Sequence, residues 1–298
     1  MTNLKCAICG NKQEVKEYYK PNFDNSKIDA NTFSARRTPD RMHYRFVKCN
    51  NCSLIFSNPV LPAKKILNLY KNSTFDYHNE SSYLKKTYAF YLQKALGSTG
   101  KKNTKLLDIG CGNGFFLEEA RNMGIKYIYG IEPGVASVKN APKWLQKCIK
   151  IGLFEKNTYK SNTFDVITCF HTLDHVLDPN KFLHGVNSAL KKDGKALFIV
   201  HDTDGLSVKL FGEKSPIFDI EHIYLFNKKN LSLLFKKNKF KVVETFDIKN
   251  NYPIKYWVRM SPLPKKIKNI VMDFLEKVNL ANFPLSLRAG NIGIIAKK

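Results

Sequence analysis

The stretch Lys105-Leu-Leu-Asp108-Ile-Gly110-Cys111-Gly112-Asn-Gly114 decides the fold. A short apolar run ends at an acidic residue, and three glycines follow at every second position. The apolar run predicts a strand, and Phe115 to Arg121 predicts a helix. Strand, glycine-rich turn and helix in that order form the first unit of a doubly wound α/β sheet, where ligands bind beyond the carboxyl ends of the strands. The glycines let the backbone turn sharply and approach a ligand. The helix N-terminus then offers free N–H groups to a carboxylate or phosphate.

A glycine turn alone is weak evidence, and this one has companions. A second apolar strand, Tyr127 to Ile131, ends in Glu132-Pro133. A third, Phe164 to Phe170, leads into His171-Thr-Leu-Asp174-His175-Val-Leu-Asp178-Pro179. A helix, a Lys192-Asp193-Gly194 turn and the strand Lys195 to Val200 come next. Together these resemble the class I S-adenosylmethionine-dependent methyltransferases from Lys105 to Val243, although Asp174 stands where the usual motif has Glu. The resemblance implies a Rossmann-like seven-stranded sheet and a role for each motif position. Asp108 would hold the methionine amino end of the cofactor, with a helix cap as its alternative. Gly110, Cys111, Gly112, Gly114 and Pro133 would shape the bed, Cys111 through size and backbone alone. Glu132 would accept hydrogen bonds from the ribose diol. Leu153 and Phe154 would sandwich the adenine, with a core role as the alternative, and Phe170 and His171 would lie beside the methyl group. Asp108 precedes the turn where nicotinamide-binding folds more often carry an apolar residue or glycine, which disfavours an oxidoreductase.

The 298 residues leave room for one core domain plus attachments, and 43% hydrophobic content is that of a globular chain. No run of 18 apolar residues predicts a spanning helix. The start, Met1 to Cys6, lacks the apolar centre of a signal peptide. A cytoplasmic location is therefore expected, with the seven cysteines as reduced thiols or metal ligands. The net charge is +24, yet only seven of the 49 basic residues are arginine, the residue that forks onto phosphates. Their only cluster is Arg36, Arg37, Arg41 and Arg45. An even lysine bias reads as a solvated surface and disfavours nucleic acid as partner. Peripheral contact with an anionic membrane surface stays open.

Cys6-Ala-Ile-Cys9 and Cys49-Asn-Asn-Cys52 form two Cys-x-x-Cys knuckles. In a reduced compartment they read as a tetrahedral zinc site, with buried cysteines as the alternative. Glu14 to Arg45 between them predicts paired strands with a loop. We divide the chain into a zinc-binding module (1–60), a helical lid and linker (61–103) and a methyltransferase domain (104–298) with a substrate-side insertion and a final strand, Asn291 to Ala296. Pro62 to Tyr70 and Ser81 to Leu96 show helical spacing, and Gly97 to Asn103 reads as a linker. The knuckle, strand and Asn58-Pro59 upstream of the core resemble a bacterial subfamily associated with sugar, glycan and secondary-metabolite modification. That resemblance implies a zinc module capping the substrate side. It also implies a lid at Tyr70 to His78, which includes Phe75 and Tyr77; a packed loop is the alternative.

Asp219-Ile-Glu221-His222-Ile-Tyr224-Leu-Phe226-Asn227 resembles the family's His-x-x-x-Phe element, a substrate-facing segment. If the acceptor must lose a proton, histidine is poised to take it near neutral pH. The candidates are His222, ranked first, then His201 and His171, with His175 orienting its loop. Near the end of the chain, Ile267, Ile270, Val271, Phe274, Leu275 and Val278 share one helix stripe. We read it as packing on the core, with a membrane surface as the alternative. The expected function is methyl transfer to a small-molecule or glycan acceptor. The alternatives are an RNA methyltransferase and a non-catalytic cofactor-binding subunit.

Overall fold

The computed structural model describes residues 1–23, 42–71, 81–97 and 102–298. Arg36, Arg37 and Arg41, the lid residues Phe75, Tyr77 and His78, and most of the linker lie outside the described residues.

The N-terminal part gives β1 (Val15–Tyr19), β2 (Phe46–Cys49) and β3 (Ile55–Ser57), then α1 (Ala63–Lys71) and α2 (Ser81–Leu96). The core runs β4 (Lys105–Ile109), α3 (Phe115–Asn122), β5 (Tyr127–Glu132), α4 (Val135–Lys139), α5 (Lys143–Gln146), β6 (Ile149–Ile151), β7 (Phe164–Phe170), α6 (Pro179–Ala189) and β8 (Leu190–His201). Then come α7 (Leu206–Phe211), β9 (Tyr224–Leu225), α8 (Lys228–Lys237), β10 (Lys241–Asp247) and β11 (Asn250–Pro253). The last elements are α9 (Ile254–Met260), α10 (Lys265–Lys277), β12 (Pro284–Leu287) and β13 (Asn291–Lys297).

Seven strands form one sheet in the order β10-β13-β8-β7-β4-β5-β6. β13 runs antiparallel to both of its neighbours, and the pairs from β8 to β6 are parallel. The chain order reverses between β4 and β7, which opens a crevice at their carboxyl ends. The central strands are near-continuous apolar runs because helices cover both faces. Alternate residues serve the two faces. Leu107, Ile109, Ile167 and Phe198 meet Phe182 and Leu183 of α6 and Leu234 and Phe235 of α8. Leu106, Val166, Leu197 and Ile199 meet Leu84 and Leu92 of α2 and Phe116 and Leu117 of α3.

A second, antiparallel sheet has the order β1-β2-β3-β9. Its last strand comes from the segment between β8 and α8, so the N-terminal strands are stitched to the core. Phe46 and Ile55 from one side and Ile217, Phe218 and Leu225 from the other close one apolar cluster.

Between β10 and β13 the chain leaves the main sheet. There β11 and β12 pair as a ribbon carrying α9 and α10. The stripe on α10 does not pack on the core as expected. Only Leu275 is buried, and Ile267, Ile270, Phe274 and Val278 are exposed. The cause is placement: α10 rests on α9, so the inner edge of its stripe is covered and the outer edge faces away. Among the described residues no helix is long and apolar enough to cross a membrane.

Candidate functional site

Asp108 is buried in β4, and its Oδ1 accepts a 2.7 Å hydrogen bond from Thr168 Oγ1 on the neighbouring strand β7. Burial pushes its carboxyl up to about 8, against the pull of the Thr168 bond and with a further push from Glu132. The cap position of α3 belongs to Gly114, so the helix-cap alternative for Asp108 falls away. Gly110 has φ 75°, and a Cβ there would collide with Thr172. Gly114, at φ 76°, turns the chain into α3 and lies outside the cavity lining.

Glu132 ends β5 with both carboxylate oxygens held by backbone. Gly112 N–H donates to Oε2 at 3.0 Å and Gly134 N–H to Oε1 at 2.8 Å. Burial raises its pKa while these two bonds restrain it. A carboxylate oxygen has two lone pairs, so each retains acceptor capacity for a ligand hydroxyl.

One continuous cavity of about 950 Å³ runs over this turn and into the space beneath α7 and α9. Asp108, Gly110, Cys111, Gly112, Glu132, Pro133, Leu153, Phe154, Phe170 and His171 all line it. Leu153 lies at the exposed rim. Phe154 also packs edge-on against Phe182 at 5.4 Å, so its core reading and its site reading describe one position. Phe170 stacks on Tyr88 at 4.1 Å and meets Phe116 edge-on at 4.8 Å. Burial lifts the Cys111 thiol well above its ordinary range, which suits a wall residue without thiol chemistry.

The far half of the cavity holds four of the chain's seven histidines around one carboxylate. His171 directly follows β7 and His201 ends the adjacent β8, with their rings 4.7 Å apart. His201 and His222 are 4.3 Å apart, and His222 and His175 5.0 Å. His201 Nδ1 lies 2.5 Å from Asp174 Oδ2, and His175 Nε2 lies 3.7 Å from Asp174 Oδ1. Burial alone would push the Asp174 carboxyl up. The charge and hydrogen bond of His201, helped by His175 and His222, instead hold it well below the usual carboxylate range. His222 donates from Nδ1 to Ile217 O at 2.7 Å. Burial holds His222 well below the ordinary histidine range, with His201 and His175 adding to the depression and Asp174 opposing it. Burial likewise lowers His175, whose Nδ1 meets Tyr70 Oη at 2.8 Å. From sequence these histidines stand out singly, and Asp174 as their hub does not; the signal is an acidic residue in the histidine-rich loop after β7.

The four predicted metal ligands meet as well. The Sγ atoms of Cys6, Cys9, Cys49 and Cys52 all lie within 4.8 Å of one another, with Cys6–Cys52 at 3.3 Å and Cys9–Cys49 at 3.4 Å. A tetrahedron of ~2.3 Å zinc–sulfur bonds spaces its sulfurs ~3.8 Å apart, so this set fits a zinc ion. The two knuckles repeat one turn. Gly10 N–H donates to Cys6 O and Ser53 N–H to Cys49 O, both at 2.9 Å, and both residues have positive φ.

Sheet order, glycine turn and paired carboxylates together define a methyltransferase domain. A family model described as a methyltransferase domain matches residues 78–245. The chain belongs to this family and carries a class I S-adenosylmethionine-dependent methyltransferase domain. It is 28% identical over 116 residues to the ubiquinone biosynthesis O-methyltransferase of Salmonella paratyphi A, covering 37% of this chain and 48% of that one. It is 31% identical over 107 residues to the tRNA U34 carboxymethyltransferase of Campylobacter hominis, covering 34% and 37%. The chain thus spans about half the length of these relatives or less. Among solved structures, the geranyl diphosphate C-methyltransferase of Streptomyces coelicolor A3(2) superposes with a TM-score of 0.54 at 15% identity, covering 79% of this chain and 99% of that one. That likeness shows the shared fold.

Proposed function

We propose that the protein transfers a methyl group from S-adenosylmethionine to a hydroxyl of a small-molecule acceptor with an apolar body. The observation that carries this reading is the single cavity joining the glycine turn to the histidine–Asp174 cluster. S-adenosylmethionine, when bound, supplies an activated methyl group on a sulfonium sulfur. Asp108 would take the cofactor's amino end and Glu132 its ribose hydroxyls, while Leu153 and Phe154 flank the adenine. Gly110 lines the cavity with bare backbone, and contact with Thr172 keeps it so, because a Cβ there would collide with that side chain.

The acceptor half of the cavity is lined by Ile217, Tyr252, Trp257 and Met260, with Leu206 and Leu210 at its exposed mouth and the buried polar side chains of Asp219, Glu221 and Asn250 among them. The apolar side chains favour an acceptor with an apolar body, and the polar ones offer it hydrogen bonds. The sugar or glycan class expected from the sequence has no comparable support in them. We assign the proton-accepting role to His201 on its geometry. Its Nδ1 faces the Asp174 carboxylate, so Nδ1–H donates there and Nε2 is left for the acceptor's hydroxyl. His222, ranked first from sequence, is disfavoured as a base by burial and by the neighbouring His201 and His175, which outweigh Asp174 and its bond to the Ile217 carbonyl. It suits a hydrogen-bonding role toward the acceptor. Cys6, Cys9, Cys49 and Cys52 would hold one structural zinc ion.

Calorimetric titration with S-adenosylmethionine tests the cofactor half. One site is expected, and Glu132→Ala should weaken it by ~1–3 kcal/mol, the scale of lost hydrogen bonds to a charged group. Unchanged affinity in that variant would remove Glu132 from the ribose site.

A further inference from the structure

We propose that the segment from residue 254 to residue 290 is an interfacial docking element that seats the protein on a membrane containing anionic phospholipid.

The first observation is where exposed apolar side chains gather. Ile267, Ile270, Phe274 and Val278 form the outer stripe of α10, and Leu280 and Phe283, shortly after the helix, are exposed as well. Ile270 is 68% exposed and Phe274 61%. Surface apolar residues scattered singly need no explanation, but a contiguous stripe does. At 100° per residue, Lys266 and Lys277 fall beside Ile270 on the edge of this stripe. Their stems can lie along an apolar boundary while their ammonium groups reach the headgroups. A helix with one apolar face and lysines at its margin is the form that lies in a bilayer interface.

The second observation is charge. From 254 to 290 the chain has seven lysines and arginines against two acidic residues, within a protein of net charge +24. This complements an anionic lipid surface, where each basic group close to the headgroups contributes. The same charge disfavours a second copy of this chain as the occupant, because like faces would meet like charge.

The third observation is position. Tyr256, Trp257 and Met260 of α9 line the cavity, and Trp257 Nε1–H donates to the carbonyl of the exposed Leu285 at 3.0 Å. The apolar stripe and the cavity wall therefore belong to one small unit. A protein seated through this unit would bring the cavity wall close to the bilayer. The docking itself does not depend on the methyl-transfer reading.

Vesicle co-sedimentation of the full chain tests the inference, with phosphatidylcholine vesicles compared against vesicles containing about a third phosphatidylglycerol. Binding to the anionic vesicles is expected, weakened by added salt as screening requires. Ile270→Glu/Phe274→Glu should reduce it roughly tenfold or more. Lys266→Glu/Lys277→Glu should reduce the preference for anionic lipid without touching the apolar stripe. Circular dichroism and thermal midpoints verify that both variants are folded. The inference is overturned by a failure to bind either vesicle, or by anionic binding that survives Ile270→Glu/Phe274→Glu. It is equally overturned by sedimentation velocity showing a dimer that Phe274→Glu dissociates, because a second copy would then cover the face.

Discussion

His201 and Asp174 meet at 2.5 Å, although one ends β8 and the other lies in the loop after β7. The contact exists because β7 and β8 are adjacent parallel strands that deliver their carboxyl ends to the same crevice. The carboxylate fixes the tautomer of His201 and leaves Nε2 as the acceptor. Asp174→Asn should lower kcat ~10²–10⁴-fold, the range of lost general-base catalysis, and leave the affinity for S-adenosylmethionine near its original value. Asp174→Glu should restore much of the rate. An Asn variant with full turnover, or a Glu variant as poor as Asn, would show that Asp174 does not position a base.

The buried histidines make folding stability fall on the acid side. Burial depresses His222 and His175 in the folded protein, while the unfolded chain protonates histidine near pH 6.5. The unfolded state therefore binds more protons as pH drops below ~6.5, and stability is lost there. Asp174 has the opposite kind of shift. Its depressed carboxyl contributes stability above the unfolded value and loses it only at lower pH. Thermal midpoints from pH 7.5 to 5 should fall, and His222→Gln should flatten that slope. Identical slopes in the two proteins would contradict the burial argument.

Asp108 predicts a proton released on cofactor binding. Its carboxyl sits near 8 without ligand, and a cationic amino group beside it would favour the ionised form. Below pH 8 the carboxyl must lose its proton as the cofactor enters. Affinity should then rise by up to ~10-fold per pH unit between 6 and 8, by linkage. Calorimetry in buffers of different ionisation enthalpy should give different apparent heats. Asp108→Asn should abolish the difference, and buffer-independent heats in the parent protein would sink the assignment.

The parts of the fold legible in the sequence are those with a local cause. Leu106, Leu107 and Ile109 read as a buried strand because they form an apolar run, and Gly110 marks the turn because only glycine tolerates its contact with Thr172. The histidine cluster was not legible as a cluster. Residues 171, 175, 201 and 222 are brought together by strand order and by β9, whose two residues carry no periodic signal. The stripe on α10 was legible as a stripe, since periodicity reports that a face is apolar, but not what covers it. The two knuckles were legible from spacing, whereas their link to the core depends on β3 pairing with β9.

The cysteine cluster reaches the acceptor side through that pairing. Ser57 Oγ–H donates to His222 O at 2.9 Å, and Ser57 N–H donates to Ile223 O at 2.8 Å. Ser57 ends β3, and β3 pairs with β2, whose last residue is Cys49. The cysteine cluster and His222 are thus joined through two short hydrogen-bonded strands, β2 and β3. Metal analysis should find about one zinc per chain, as a four-cysteine site holds one ion. Because binding energy at such a site is folding energy, Cys49→Ser or chelation should loosen the four-stranded sheet. His222 and the cavity wall at Ile217 would then lose their support. Turnover should fall steeply while S-adenosylmethionine still binds, since Asp108 and Glu132 sit on the seven-stranded sheet. Metal-free protein with full turnover would break the proposed coupling. Loss of cofactor affinity in step with turnover would mean that the zinc module supports the whole domain instead of the acceptor side.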